Sequence, residues 1–151
     1  MKKNAKKNNK GFSLVELIIV VAIMAILIGV LGGQYLKFVE RSRQSADKAN
    51  VDELIRAVQI YAADPEADTP FTLGKSATVT LNKDDSMAVD GDNKSSVTAA
   101  LTAAGITDVQ LKSDKWDGVV LTITIDGDGN VSVTATTGKE DILGDTDPAT
   151  T

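Results

Sequence analysis

Eighteen consecutive positions, 14–31, carry no polar side chain except that of Glu16. Wound as a helix at about 1.5 Å per residue, such a stretch spans about 27 Å, close to the roughly 30 Å hydrocarbon thickness of a bilayer. A segment of this kind is expected to enter a membrane, and the rest of the chain must fold around that fact. Lys2, Lys3, Lys6, Lys7 and Lys10 stand directly before it and supply five of the sixteen basic residues. Lysines on that side predict a cytoplasmic N-terminus and export of the remainder of the chain. Without the first ten residues, 11 basic residues face 21 acidic ones, a balance of −10. Basic at one end and acidic elsewhere is a targeting pattern, and with a single tryptophan, Trp116, the chain lacks a base-stacking platform, so no nucleic-acid site is expected. The polar leader cannot bury anything and is expected to be unstructured or removed.

An ordinary secretory signal would be cut after the apolar run, at small residues. Gly29, Gly32 and Gly33 could serve, leaving a mature end near Gln34. Against that alternative, the helical pattern continues beyond the glycines and changes face. Val51, Leu54, Ile55, Val58 and Ala62 recur at three- and four-residue spacing, the signature of an amphipathic helix. Glu40, Arg41, Arg43, Asp47, Lys48, Asp52, Glu53 and Arg56 fill the other side, with Asp52 and Arg56 spaced as a small ion pair. Asp64-Pro65 should end the pattern, because the residue before a proline is pushed out of the helical region. The expectation is one helix over about 13–63. Each interior glycine costs a helix about 1 kcal/mol relative to alanine, so Gly29, Gly32 and Gly33 mark either a bend able to unwind or close helix–helix packing.

Past residue 64 the period shortens. Positions 77–81 alternate, and 119–125 and 131–136 are the clearest strands. Residues 126–130, Asp-Gly-Asp-Gly-Asn, should join the last two as an antiparallel hairpin. A short helix is expected over about 96–104, opened by Ser95 and Ser96 and stopped by Gly105. Trp116 is expected to anchor the sheet on the long helix. The fold class is therefore α+β, one long helix against a small antiparallel sheet.

The chain has neither cysteine nor histidine. Disulfides, thiolate metal sites and the commonest general base are all absent, and no nucleophile elbow or phosphate loop replaces them; an enzyme is not expected. Asp126, Asp128 and Asn130 alternate as at the start of an EF-hand loop, but Val131 stands where that loop needs glycine and Thr137 where it needs an acid. A hairpin turn is expected there and no cofactor, with calcium as the alternative.

The informative constellation is Lys10-Gly11-Phe12-Ser13-Leu14-Val15-Glu16. Gly11 offers a peptide bond without a side chain between the basic leader and the apolar helix, within reach of an intramembrane protease. Glu16 costs about 2.5–3.5 kcal/mol at mid-bilayer and less near the edge. Two readings stay open for it: a carboxylate snorkelling at the interface, or a partner for a positive charge such as the amine of Phe12 freed by a cut.

The run K-G-F-S-L-V-E-L-I-I-V-V-A-I-M-A-I-L resembles the N-terminus of type IV pilins and pseudopilins. The resemblance implies cleavage after Gly11 by a prepilin peptidase and methylation of the new amine on Phe12. It also implies that Glu16 pairs with the Phe12 amine of a neighbouring subunit as a filament assembles. It implies a pilin fold, a homo-oligomeric helical filament at the cell surface, a precursor in the cytoplasmic membrane and a pilus assembly platform as partner. Many relatives carry a proline near the position of Gly32-Gly33 and a C-terminal disulfide; this chain has neither, and its lack of cysteine resembles pilins of Gram-positive bacteria. A pseudopilin of a secretion or DNA-uptake machine shares the same N-terminus and is the alternative. The expected layout is a cleaved leader (1–11), a membrane or filament-core half-helix (12–36), an amphipathic half-helix (37–63), a β-sheet head (64–138) and a flexible acidic tail (139–151).

Overall fold

The computed structural model describes residues 11–84 and 86–144. The expected leader, up to Lys10, and the tail beyond Gly144 lie outside the described residues. The long helix is there: α1 runs Leu14–Ala62 without a break, through Gly29, Gly32 and Gly33. The chain divides into two compact units, Met1–Val39 and Glu40–Thr151.

In the first unit, the apolar side chains of 12–31 are all exposed, Phe12 at 90% and Ile28 at 72%. A Cβ built on Gly29, Gly32 or Gly33 would meet nothing within 4 Å. By length and composition α1 could cross a membrane.

The second unit is built the opposite way. Val51, Leu54, Ile55, Ala57 and Val58 of α1 are buried and join one hydrophobic core with the inner face of a sheet. That sheet comprises β1 (Lys75–Leu81), β2 (Ala88–Gly91), β3 (Val119–Ile125) and β4 (Val131–Ala135), in the order β2-β1-β3-β4. All neighbouring strands are antiparallel. In β3 burial alternates strictly from Val119 to Ile125, because successive side chains of a strand point to opposite faces. The β3–β4 hairpin forms as expected. Strand β2 adds to the expected strands, for AVDG has no alternating apolar pattern. It exists by pairing with β1, and Gly91 permits the approach: its φ is +99°, and a Cβ there would sit 2.9 Å from the carbonyl oxygen of Ser76.

The short helix α2 spans Lys94–Ala103. Ser95 and Ser96 do not cap it. The N-cap is Asn93, whose side chain instead bonds the backbone of Thr72 and Lys75, while the buried Ser96 hydroxyl donates to Pro70 O at 2.9 Å. Its end is the expected glycine stop. Gly105 has φ +76°, its N–H reaches Thr102 O, and Ile106 N–H reaches Leu101 O at 2.8 Å, the paired bonds of a Schellman motif.

Three expectations need correction. Asp47, assigned to the solvent side, is fully buried. Asp52 and Arg56 form none of the ion pairs among the described residues; one carboxylate oxygen of Asp52 is buried with no hydrogen-bond partner. The segment 139–144 is no loose tail. Glu140–Leu143 is a 3₁₀ turn with Ile142 and Leu143 buried in the core, since two apolar side chains at the end of a small domain gain more by burial than their ordering costs.

Candidate functional site

Gly11, Phe12 and Ser13 are exposed and adopt no regular structure, and α1 starts at the next residue. What starts it is a reciprocal cap. The Ser13 hydroxyl accepts from Val15 N–H at 3.3 Å, and the Glu16 carboxylate reaches back to Ser13 N–H at 2.9 Å. Leu17 N–H closes the first helical turn on Ser13 O at 3.2 Å. Ser-x-x-Glu ahead of an apolar run is a capping box, which satisfies two N–H groups the first turn leaves orphaned. The pattern is plain in the sequence; reading Glu16 only as a charge in lipid misses it. The same carboxylate lies in the first turn, where the helix dipole favours negative charge. Among the described residues only one of its oxygens is engaged, so Glu16 has capacity for a second donor. The bond Gly11–Phe12 sits just outside the cap, with open space around Gly11.

The second unit holds its own polar groupings, and each is structural. Both oxygens of the buried Asp47 accept backbone N–H groups, from Lys112 and Ser113, each at 2.8 Å. A carboxylate from α1 thereby fastens the segment leading into a 3₁₀ turn at Asp114–Trp116. Glu40 accepts from the Ser113 hydroxyl and from Gln44 at 3.2 Å, and these bonds, Ser113 first, hold its carboxyl below the usual range. Trp116 is buried as expected, and its indole N–H donates to Asp141 at 2.8 Å. Asp141 also pairs with Lys115. That ion pair first, and the indole second, pull the Asp141 carboxyl below its ordinary value. Lys115 and Lys48 lie 5.1 and 5.8 Å from the Trp116 ring centre, within cation–π range.

In the β3–β4 loop, Asp126 accepts from the N–H groups of Asp128 at 2.9 Å and Asn130 at 2.8 Å, and from the Asn130 side-chain amide at 2.8 Å. Asn130 is the main cause of its lowered pKa. A cation at Asp126, Asp128 and Asn130 would have to displace these donors. Among the described residues no three His, Cys, Asp or Glu side chains are grouped to hold a metal ion.

Residues 6–32 match the family described as "Prokaryotic N-terminal methylation motif". A 63-residue stretch is 38% identical to the "Type IV major pilin protein PilA" of Myxococcus xanthus (strain DK1622), covering 42% of this chain and 29% of that protein. The chain thus spans under a third of the length of the relative it matches. No solved structure matches it. The methylation motif and the relative's match meet the geometry at one place, the capped helix start with Gly11, Phe12 and Glu16 in order, and over this N-terminal segment the chain is similar to a type IV pilin.

Proposed function

We propose that this chain is the structural subunit of a surface filament. A prepilin peptidase cuts after Gly11, the new amine of Phe12 is methylated, and the half-helix 12–36 leaves the membrane to form the filament core. The head (64–138) packs on the half-helix 37–63 and is exported while the precursor's N-terminus stays cytoplasmic. The subunits, the peptidase, the assembly platform and the membrane are its partners, and no cofactor takes part.

The supporting observation is the position of the Glu16 carboxylate on Ser13 N–H, at 2.9 Å. The amine created at Phe12 is the neighbouring backbone nitrogen, so the cut places an ammonium beside a carboxylate whose location is already fixed. In lipid, each charge lowers the cost of burying the other. The pair forms with the chain's own Glu16 in the membrane and with a neighbour's in the filament.

Mass spectrometry of the mature protein should find N-methyl-Phe12; an N-terminus near Gln34 would overturn the proposal. Two variants separate capping from charge. Glu16→Gln keeps a side-chain acceptor for Ser13 N–H, as capping boxes with glutamine do, but removes the negative charge. It should be processed, retain the helix start and give little polymer. Glu16→Ala should lose the polymer and also fray the first turn, seen as faster amide exchange at Ser13. Abundant Glu16→Gln filaments by electron microscopy would show that the charge does not set assembly. Envelope-bound protein without surface filaments would instead support a pseudopilin.

A further inference from the structure

The bond between Gly11 and Phe12 carries the carbonyl of Gly11. In an α-helix the carbonyl of residue i accepts the N–H of residue i+4, so a helix continued upstream of Leu14 would tie Gly11 O to Val15 N–H. That N–H is already taken: it donates to the Ser13 hydroxyl at 3.3 Å. The Glu16 carboxylate takes Ser13 N–H at 2.9 Å, so the cap closes on Ser13 from both sides. Among the described residues no hydrogen bond reaches Gly11 O, and Gly11 and Phe12 stand exposed outside α1. Nothing steric forces this start. A Cβ at Gly11 would meet no atom within 4 Å, and Asn8 and Asn9 are capping residues of the same strength as serine. A helix opened at Asn9 would carry Gly11 and Phe12 in its first turn. Glycine resists that extension without forbidding it, and the serine selects the later start.

We propose, resting on the reading of Gly11–Phe12 as the bond that is cut, that Ser13 is a positioning residue for the cut. Its hydroxyl withholds Val15 N–H from the Gly11 carbonyl, which keeps the scissile bond out of the helix and open to attack. Hydrolysis adds water across that bond, hydroxyl to the Gly11 carbonyl carbon and hydrogen to the Phe12 nitrogen, and the attacking water must reach the carbon. Inside a helix the carbonyl is hydrogen-bonded along the axis and the neighbouring turn covers it. At a membrane face, where water is scarce, Val15 N–H deprived of the hydroxyl takes the nearest acceptor, and the helical geometry offers Gly11 O. A substrate that is extended for only a fraction of the time binds more weakly by that fraction.

The test uses the full uncut chain in detergent micelles with a purified prepilin peptidase. Ser13→Ala should raise KM about fivefold, the equivalent of the roughly 1 kcal/mol that a serine cap supplies. Its kcat should not change, because the bond is the same once it is bound extended. Ser13→Asn, a cap of equal strength, should be cut as wild type is. Ser13→Gly separates capping from direct contact: it has no hydroxyl, yet glycine caps nearly as well as serine, so its KM should stay within about twofold. A loss with glycine as large as with alanine would mean that the peptidase grips the hydroxyl itself, and would overturn the proposal. The helix start is read without the enzyme from the Cα chemical shifts of Gly11 and Phe12 in the uncut chain, which should move towards helical values in Ser13→Ala and in neither of the other variants. A loss of cutting without that move, or the move without a loss, would also overturn it. Wild type cut after Gly11 with one KM for all four chains would refute the role of Ser13 alone. Wild type left uncut at Gly11–Phe12 would refute the processing reading, and this proposal with it.

Discussion

The two halves of α1 are continuous in sequence and opposite in circumstance. From Leu14 to Phe38 the helix exposes its isoleucines, leucines and valines, with Ile18, Ile23, Leu27 and Ile28 each more than half open. From Val51 to Val58 it buries them, three of them completely. The second half has a sheet to cover it. Among the described residues the first half leaves its apolar side chains open, so lipid or other copies would have to cover them. Stability of the head is therefore a property of one chain, and stability of the first half is a property of its surroundings.

Large-to-small substitutions should divide cleanly along that line. Leu54→Ala opens a cavity in the head core and should cost about 2–5 kcal/mol, read from urea unfolding of the full chain in detergent micelles by Trp116 fluorescence. Ile23→Ala deletes a similar side chain from the same helix and should leave that transition unchanged within about 0.5 kcal/mol. Equal losses would mean that the halves are energetically one unit.

Asp47→Ala sharpens the contrast at intermediate size. It leaves the N–H groups of Lys112 and Ser113 without their acceptors, at about 1–3 kcal/mol. Asp47→Asn, with one acceptor oxygen left, should fall between. At the other end of the helix, Ser13→Ala removes the hydroxyl that accepts Val15 N–H and should cost about 1 kcal/mol of local helix stability. Faster amide exchange at Val15 would report it, with the urea midpoint of the head unmoved.

Legibility in the sequence divides the same way. The run 14–31, the pattern from Val51 to Ala62, strand β3 and the Gly105 stop are readable because each is set by neighbours within a few residues. The capping box is just as local, with its whole pattern inside Ser13–Glu16. Asp47, β2 and the 3₁₀ turn at Glu140–Leu143 are not readable, because their reasons lie far along the chain. Asp47 is buried by a segment 65 residues away, β2 is a strand only through its register with β1, and the turn is held to Trp116 through Asp141, 25 residues on. An aspartate on a helix looks solvated until the distant N–H groups that need it are known. For the candidate site, the sequence sets Gly11, Phe12 and Glu16 in order, while the geometry adds the bond from Ser13 N–H to the Glu16 carboxylate.

Acid should destabilise the head, and this is the smallest of the expected effects. The groups with lowered carboxyl pKa values, Asp141, Asp126, Glu40 and Asp114, all lie in the second unit. Each gains its native bonds as an anion, so its contribution is fully present above the unfolded value of about 4. It is lost as pH falls from there through the lower folded value, because the unfolded chain then binds protons that the native head resists. Head stability should be flat from about pH 8 to pH 5 and decline below about pH 4. These carboxylates are largely open to solvent, so screening keeps each contribution small. Asp141→Asn isolates one of them: the amide oxygen still accepts the Trp116 indole N–H, but the Lys115 ion pair is gone. Its stability should lie slightly below wild type at pH 7 and meet it near pH 2, with the Trp116 emission maximum unchanged throughout. A difference that persisted undiminished to pH 2 would show that the side chain's shape, and not its charge, holds the C-terminal turn to the core.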